Sequence, residues 1–440
     1  MKIASVNHGT DEGFMPSAEM KSGAARNSVK TDAGMNAKRR IRLLVFTSLY
    51  PNAEQPHHGV FVEERLRHMI SSGRIAATVI APVPWFPFRH QRFGAYAAFA
   101  RVPEREERYG IQILHPRYPV IPKVGMNIAP LLMYRALLPI LRKWVARRDD
   151  FDLIDAHYFY PDGVVASRLG MAVNKPVVIT ARGTDVNVIA HYRLPGRQIR
   201  WAAVHAAAVA TVSGALKGGL AALGLDPEKI TVLRNGVDLE WFGPRDRAAI
   251  RIKRGLSGPI WLTVSHLNEH KGVHIVIEAL AQVPDTTLLI AGDGPDGPKL
   301  RGLVERLGLG ARVQFLGVIR RDELCEYYNA ADVMLLASAG EGMPNVVLES
   351  LACGTPVVVA PFDGITELVS TPEAGEVAAQ RSAEAIASAW FRLRNRSPQR
   401  AATRSFAEQL GWQPVVDAQC ELYERVLAAR APIAKPGIEA

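Results

Sequence analysis

The stretch Ala339–Val359, AGEGMPNVVLESLACGTPVVV, decides how this 440-residue chain is read. It predicts a loop, a short helix, a turn and a buried strand. Pro344 suits a first helical position, Val346 to Leu351 is a short apolar run, and Gly354 with Pro356 stops the helix before the strand Pro356 to Ala360. Glu341 then lies in the loop facing the helix start, and Glu349 sits about one turn inside the helix. A helix start carries unpaired N–H groups and the positive end of the backbone dipole, so a phosphate fits near Met343 to Val346. A carboxylate at Glu349 suits paired hydrogen bonds from ribose hydroxyls. Together these features describe a nucleotide-sugar pocket. Taken singly, each glutamate also fits a solvated charge on a loop or helix surface.

The paired glutamates of EGMPNVVLES, followed by LACGTPVV, resemble the signature of the retaining, GT-B-fold glycosyltransferases of family 4. The resemblance covers roughly Ile41 to Leu427. It implies an α/β chain with two facing Rossmann-like domains, parallel sheets, and a C-terminal helix crossing back to the first domain. It further implies a nucleotide-diphosphate sugar as donor, bound by the second domain, and a glycan or lipid-linked glycan as acceptor, bound by the first. Glu341 would then lie near the donor sugar and Glu349 would hold the ribose.

Outward from that stretch, short β-branched runs alternate with amphipathic segments, the pattern of parallel βαβ units. One series starts at Ile41 (IRLLVF) and runs through Ala77, Phe151, Pro176, Ala208 and Ile230; a second starts at Ile260 (IWLTVS) and ends at PVVVA. The expected division is a polar tail over 1–40, a first domain over 41–240, a connection over 241–258 rich in charge, Gly and Pro, a second domain over 259–410, a returning helix over 411–430 and a tail over 431–440.

Several strand ends carry candidate site residues. Lys271, in VSHLNEHKGV, is placed to neutralise the departing β-phosphate, the main demand when a sugar leaves a nucleotide diphosphate. The resembling family usually has an Arg–Lys pair here; His266 stands at the arginine position, leaving Lys271 as the permanent cation and suggesting pH-dependent turnover. Gly292 and Gly294 follow one strand, and Gly317 and Val318 follow the next; by resemblance these loops frame the nucleotide, the second beside the base. Gly342, Met343, Asn345 and Val346 complete the donor list, with Gly59 contributed by a loop-to-helix junction in the first domain. His157 ends the strand in FDLIDAHY, at the edge where open α/β sheets bind ligands, and is expected to hydrogen-bond the transferred sugar. Arg182 and Asp185, at the next strand end, read either as acceptor contacts or as an ion pair with each other. No covalent nucleophile stands out, so the resemblance implies a front-face reaction.

Other patterns bound the function. Asp150 and Asp152 form a DxD, the metal pattern of the other nucleotide-sugar transferase fold, but both stand at the entry of a strand whose ligand end is His157; no metal or other cofactor is expected. Three cysteines without a CxxC pair suggest neither a disulfide framework nor zinc, which fits a reducing, cytoplasmic compartment. A net charge of +10 favours anionic partners such as nucleotide diphosphates, acidic glycans or the inner leaflet; nucleic acid is not expected. Two stretches, Pro82 to Phe93 and Ile121 to Arg148, combine aromatic or apolar residues with cations and could contact an anionic membrane surface without spanning it, although the second also reads as a core helix with a solvated end. No HExxH, P-loop or nucleophile elbow is present. Epimerases and phosphorylases of related two-domain folds, and a binding protein that keeps only the nucleotide pocket, remain the other readings.

Overall fold

The computed structural model describes residues 39–90, 92, 95–120, 125–147 and 151–430. In chain order the strands of the first half are β1 (Ile41–Phe46), β2 (Ile75–Ile80), β3 (Val83–Trp85), β4 (Arg105–Arg108), β5 (Ile111–Leu114), β6 (Arg117–Pro119), β7 (Leu153–His157), β8 (Val177–Ala181), β9 (Ala208–Thr211) and β10 (Ile230–Val232). Eight of them form one sheet in the order β10-β9-β8-β7-β1-β2-β5-β4, with β3 and β6 paired beside it. The second half contains β11 (Ile260–Val264), β12 (Thr287–Ala291), β13 (Val313–Gly317), β14 (Val333–Leu336), β15 (Val357–Val359) and β16 (Gly375–Val377), in the order β13-β12-β11-β14-β15-β16.

Burial on both faces explains why the strands read as apolar runs. Along β1, Leu44 and Phe46 enter the core on one face with Ile154 and Ile179, while Leu43 and Val45 enter the core on the other with Val79 and Val178. Along β11, Trp261 faces one core while Ile260 and Leu262 face the other. The helix Trp412–Ala428 follows the second half in sequence yet packs on the first sheet's outer core, where Val416, Cys420, Tyr423 and Val426 meet Val62, Leu66 and Met69.

Two expectations change. The first sheet is not wholly parallel, because β4 pairs antiparallel with β5 through a two-residue turn at Tyr109 and Gly110, both at positive φ. The stretch read as a connection contains the helix Arg247–Arg254; there Asp246 caps the helix through Ala249 N–H at 3.0 Å, and Arg251 pairs with Asp332 at 2.8 Å. The helical C-terminal region divides at Gly411 into Arg400–Glu408 and Trp412–Ala428. The two tails fall almost wholly on residues 1–38 and 431–440, outside the described residues, as does Asp150 of the DxD; Asp152 accepts the Arg42 backbone N–H at 2.8 Å and pairs with Arg42 and Arg39.

Candidate functional site

The loops at the carboxyl ends of both sheets face one another. In the second half, the loop after β11 lies against the loop after β14, and Gly272 permits the approach: its φ is +67°, and a Cβ there would stand 2.1 Å from the Ala337 carbonyl oxygen. Asn268 caps the short turn Glu269–Lys271, the Ala339 N–H donates to the His270 carbonyl at 2.9 Å, and Arg381 Nε donates to the Ala337 carbonyl at 2.8 Å. These ties bring Lys271 Nζ to 2.5 Å from Glu341 Oε1, an oxygen that also accepts from Ser338 Oγ at 2.7 Å. Lys271 and Glu341, predicted separately, thus form one unit.

Just beyond, Pro344 precedes rather than begins the helix Asn345–Ala352; its φ of −77° and ψ of 106° are extended. Glu349 lies one turn along this helix and accepts from the Tyr328 hydroxyl at 2.8 Å. Burial pushes its carboxyl up to about 7, helped by the neighbouring Glu64 carboxylate and opposed by Tyr328 and Arg321. Gly292, at φ +129°, donates its N–H to the Gly317 carbonyl at 2.7 Å, and a Cβ on it would stand 1.9 Å from the Ser265 carbonyl oxygen. Gly317 also has positive φ, and Val318 beside it is exposed, leaving an open shelf. His266 is exposed at the same rim.

In the first half, Gly59 starts the helix Val60–Ser71 at φ +72°, with room for no Cβ because the Leu49 carbonyl would lie 2.2 Å away. His157 is only 2% exposed, and both ring nitrogens are engaged: Nδ1 lies 2.7 Å from Arg182 Nη2 and Nε2 lies 3.1 Å from Asp155 Oδ2. A guanidinium has no acceptor, so Nδ1 accepts and the ring proton sits on Nε2, on the side of Asp155. Burial lowers the His157 pKa, consistent with this neutral tautomer. These contacts set His157, expected to hydrogen-bond the transferred sugar, between Arg182 and Asp155. The Arg182–Asp185 ion pair is corrected. Asp185 accepts the N–H groups of Phe159 at 2.8 Å and Gly183 at 2.8 Å, holding the two strand-end loops together, while Arg182 Nη1 donates to Asn235 Oδ1 at 3.1 Å.

The halves touch across the cleft. A Cβ on Gly342 would stand 1.7 Å from the Arg182 carbonyl oxygen, so backbone meets backbone there. Asn235 Nδ2 donates to Asn345 Oδ1 at 2.8 Å, and its N–H points to Met343 Sδ at 3.0 Å. Glu367 accepts the N–H groups of Gly214 and Ala215 at 3.2 Å each, at the start of the helix Gly214–Ala222, and pairs with Arg234 at 2.8 Å. Arg321 pairs with Glu64 at 2.7 Å. Sequence reading missed Asn235, Ser338, Gly272, Tyr328, Glu64, Arg321 and Glu367. Of these, Asn235, beside Gly236 after a strand, and Gly272, between a turn and a helix, carried a local turn signal.

Of the stretches considered for membrane contact, Trp85 and Phe88 are more than half exposed. The helix Ala129–Ala146 buries Met133, Leu137 and Leu141 in the first core, and among the described residues no helix is long and apolar enough to cross a membrane.

Comparison with known proteins points to one family. Residues 246–409 match the family described as Glycosyl transferases group 1, and residues 96–241 match Glycosyltransferase Family 4. The chain is 30% identical over 400 residues to the putative teichuronic acid biosynthesis glycosyltransferase TuaC of Bacillus subtilis (strain 168), covering 88% of this chain and 94% of that one. Among solved structures, sucrose-phosphate synthase from Thermosynechococcus elongatus superposes with a TM-score of 0.72 at 21% identity, over 89% of this chain and 100% of that one. Anabaena HepE in complex with UDP superposes with a TM-score of 0.66 at 22% identity, over 88% and 100% of the two chains.

Proposed function

The chain belongs to the family 4 glycosyltransferases and has their GT-B fold, and from that premise we propose that it transfers a sugar, with retention of configuration, from a nucleotide-diphosphate sugar to a glycan or lipid-linked glycan in cell-surface polysaccharide or glycoconjugate assembly. The observation that carries this reading is the Lys271–Glu341 pair at the mouth of the helix Asn345–Ala352, one turn from Glu349. That arrangement supplies what departure of a diphosphate requires: a cation, helix N–H groups, and an anchor for the ribose.

In the proposed step the bond between the sugar's anomeric carbon and the β-phosphate oxygen breaks, its electron pair leaving with the diphosphate. The acceptor hydroxyl attacks from the same face, and its proton passes to the departing phosphate oxygen. Lys271 and the helix start stabilise the negative charge that develops. Glu341, held by Lys271 and Ser338, positions the sugar, and Glu349 holds the ribose hydroxyls. The family resemblance supports a donor contact for the Gly292 and Gly317 loops, with the base on the shelf at Val318. Arg182 and Asp185 shape the acceptor side. HepE's complex with UDP makes UDP-sugars the first donors to test. TuaC's name and the +10 net charge favour an anionic acceptor chain, built at the cytoplasmic face of the membrane, with Trp85 and Phe88 nearest that surface.

The test is transfer itself. Purified protein is given UDP-, GDP- and ADP-sugars with a lipid-linked glycan acceptor, with and without EDTA. Transfer of one sugar, with the donor's anomeric configuration kept in the product and turnover unchanged by EDTA, is expected. Conversion of donor without acceptor would favour an epimerase of the same fold, and binding without turnover a non-catalytic protein.

A further inference from the structure

Asn235 lies in the loop after β10, and its neighbours dictate which way its amide faces. Its Oδ1 is 3.1 Å from Arg182 Nη1 and 3.2 Å from Arg65 Nη2. Guanidinium groups only donate, so the atom turned toward them is the amide oxygen. The arginines are themselves fixed. Arg65, fully buried, also donates to Gln419 Oε1 at 2.9 Å, the Leu233 carbonyl at 2.9 Å and the Arg234 carbonyl at 2.7 Å, while Arg182 is held by His157. The NH2 group of Asn235 is thereby turned the other way, across the cleft, where it donates to Asn345 Oδ1 at 2.8 Å. The same logic applies once more. Asn345 uses its oxygen on Asn235, so the polar group it has left, in the first turn of the helix Asn345–Ala352, is an NH2 donor.

We propose that Asn235 is a positioning residue for the diphosphate: it relays the donor polarity of two buried arginines through Asn345 to the helix start, so that an NH2 group and not an oxygen is presented to the phosphate. The proposal rests on the reading that this helix start binds a nucleotide diphosphate. It ties together the C-terminal helix, the edge of the first sheet and the donor side of the cleft, and it gives the His157–Arg182 pair a task that direct sugar contact does not.

The test is a double-mutant cycle read by calorimetry with UDP, GDP and ADP as probes. Asn235→Asp keeps size and keeps an acceptor for both arginines, but it sets a second oxygen against Asn345 Oδ1. The Asn345 amide must then turn, presenting its oxygen to the phosphate. The melting temperature is expected to hold, because a carboxylate suits the buried guanidinium groups, while affinity for the diphosphate falls about tenfold. Uridine, or whichever nucleoside matches the diphosphate that binds, should lose nothing by saturation-transfer NMR. In an Asn345→Ala background the same substitution should cost no more than about twofold, since the relay is already cut. Measurements in about 0.5 M salt remove long-range repulsion from the added charge. Equal losses in both backgrounds, or none in either, overturn the relay while leaving the donor site intact. Failure of the unsubstituted protein to bind any of the three diphosphates overturns the donor site and the relay together. Should Asn235→Asp not accumulate as folded protein, Asn235→Ala passes through the same cycle: it frees the Asn345 amide instead of turning it, so a lower melting temperature and a loss of affinity smaller than tenfold are expected, the loss disappearing in the Asn345→Ala background, and an equal loss in both backgrounds overturns the relay.

Discussion

A carboxylate holds two ribose hydroxyls best when ionised, yet Glu349 is buried enough to sit near half-protonation at about pH 7. The sign of its pH dependence follows. Its folded-state pKa is raised, so the neutral form prevails below about 7, and ionisation costs the ligand-free protein stability as pH rises from the ordinary carboxylate range through about 7. Nucleotide binding favours the ionised form, so UDP or GDP affinity should rise between pH 6 and pH 8. Because the nucleotide's own phosphate also titrates there, the comparison is with Glu349→Gln, which should bind more weakly at high pH and lose the Glu349 share of the slope. Calorimetry across the range, with an unchanged slope in that variant, would remove Glu349 from the ribose site. Lys271 offers a second residue-scale prediction. Lys271→Ala should lower turnover by roughly 100-fold or more, as removal of one oxyanion donor does, with a smaller change in donor affinity. Near-normal turnover in a steady-state assay would leave the Lys271–Glu341 pair without a catalytic role.

At the scale of elements, Gly272 decides whether two loops can meet. Gly272→Ala adds a Cβ at φ +67° and 2.1 Å from the Ala337 carbonyl, so the loop must withdraw and Lys271 must leave Glu341. The expected result is a lower melting temperature and a loss of turnover at least as large as that of Lys271→Ala; a variant with unchanged stability would show that the loop accommodates the methyl group. Elements of this kind were partly legible in the sequence. Strands buried on both faces, such as β8 and β14, announce themselves as apolar runs, and the loop–helix–strand order around Glu341 and Glu349 follows from Gly354 and Pro356. The β4–β5 hairpin did not, because REER is an edge strand whose residues are exposed or half-buried and its turn, Tyr-Gly, lacks the usual Asn-Gly signal. His157 and Arg182 were legible as strand-end residues but not as partners. Their pairing depends on the register of β7 against β8, which sets His157 opposite Thr180, and on an Asn235 that arrives from beyond β10.

At the scale of the whole molecule, polar contacts join the two halves beside the apolar Met343, which packs on the cores of both, and such contacts suit a site that must admit donor and acceptor and then exclude water. Glu367 is central among them: a carboxylate from the second half caps the helix Gly214–Ala222 of the first and holds Arg234. Burial raises its pKa, but Arg234 and the two helix N–H groups outweigh that and hold it below the usual carboxylate range. The clamp is therefore present above that range and is lost as pH falls through the depressed value. Glu367→Gln keeps the shape and weakens the charge, and Glu367→Ala removes both. Small-angle scattering of Glu367→Ala should give a larger radius of gyration, with a higher KM for the donor and little change in melting temperature, because each half retains its own core. Glu367→Gln should lie between the two, and high salt should shift the unsubstituted protein toward it. Scattering curves that superpose for all three proteins would mean that Asn235, Arg321 and the Gly342 contact close the cleft unaided, and that Glu367 serves the helix it caps rather than the enzyme's motion.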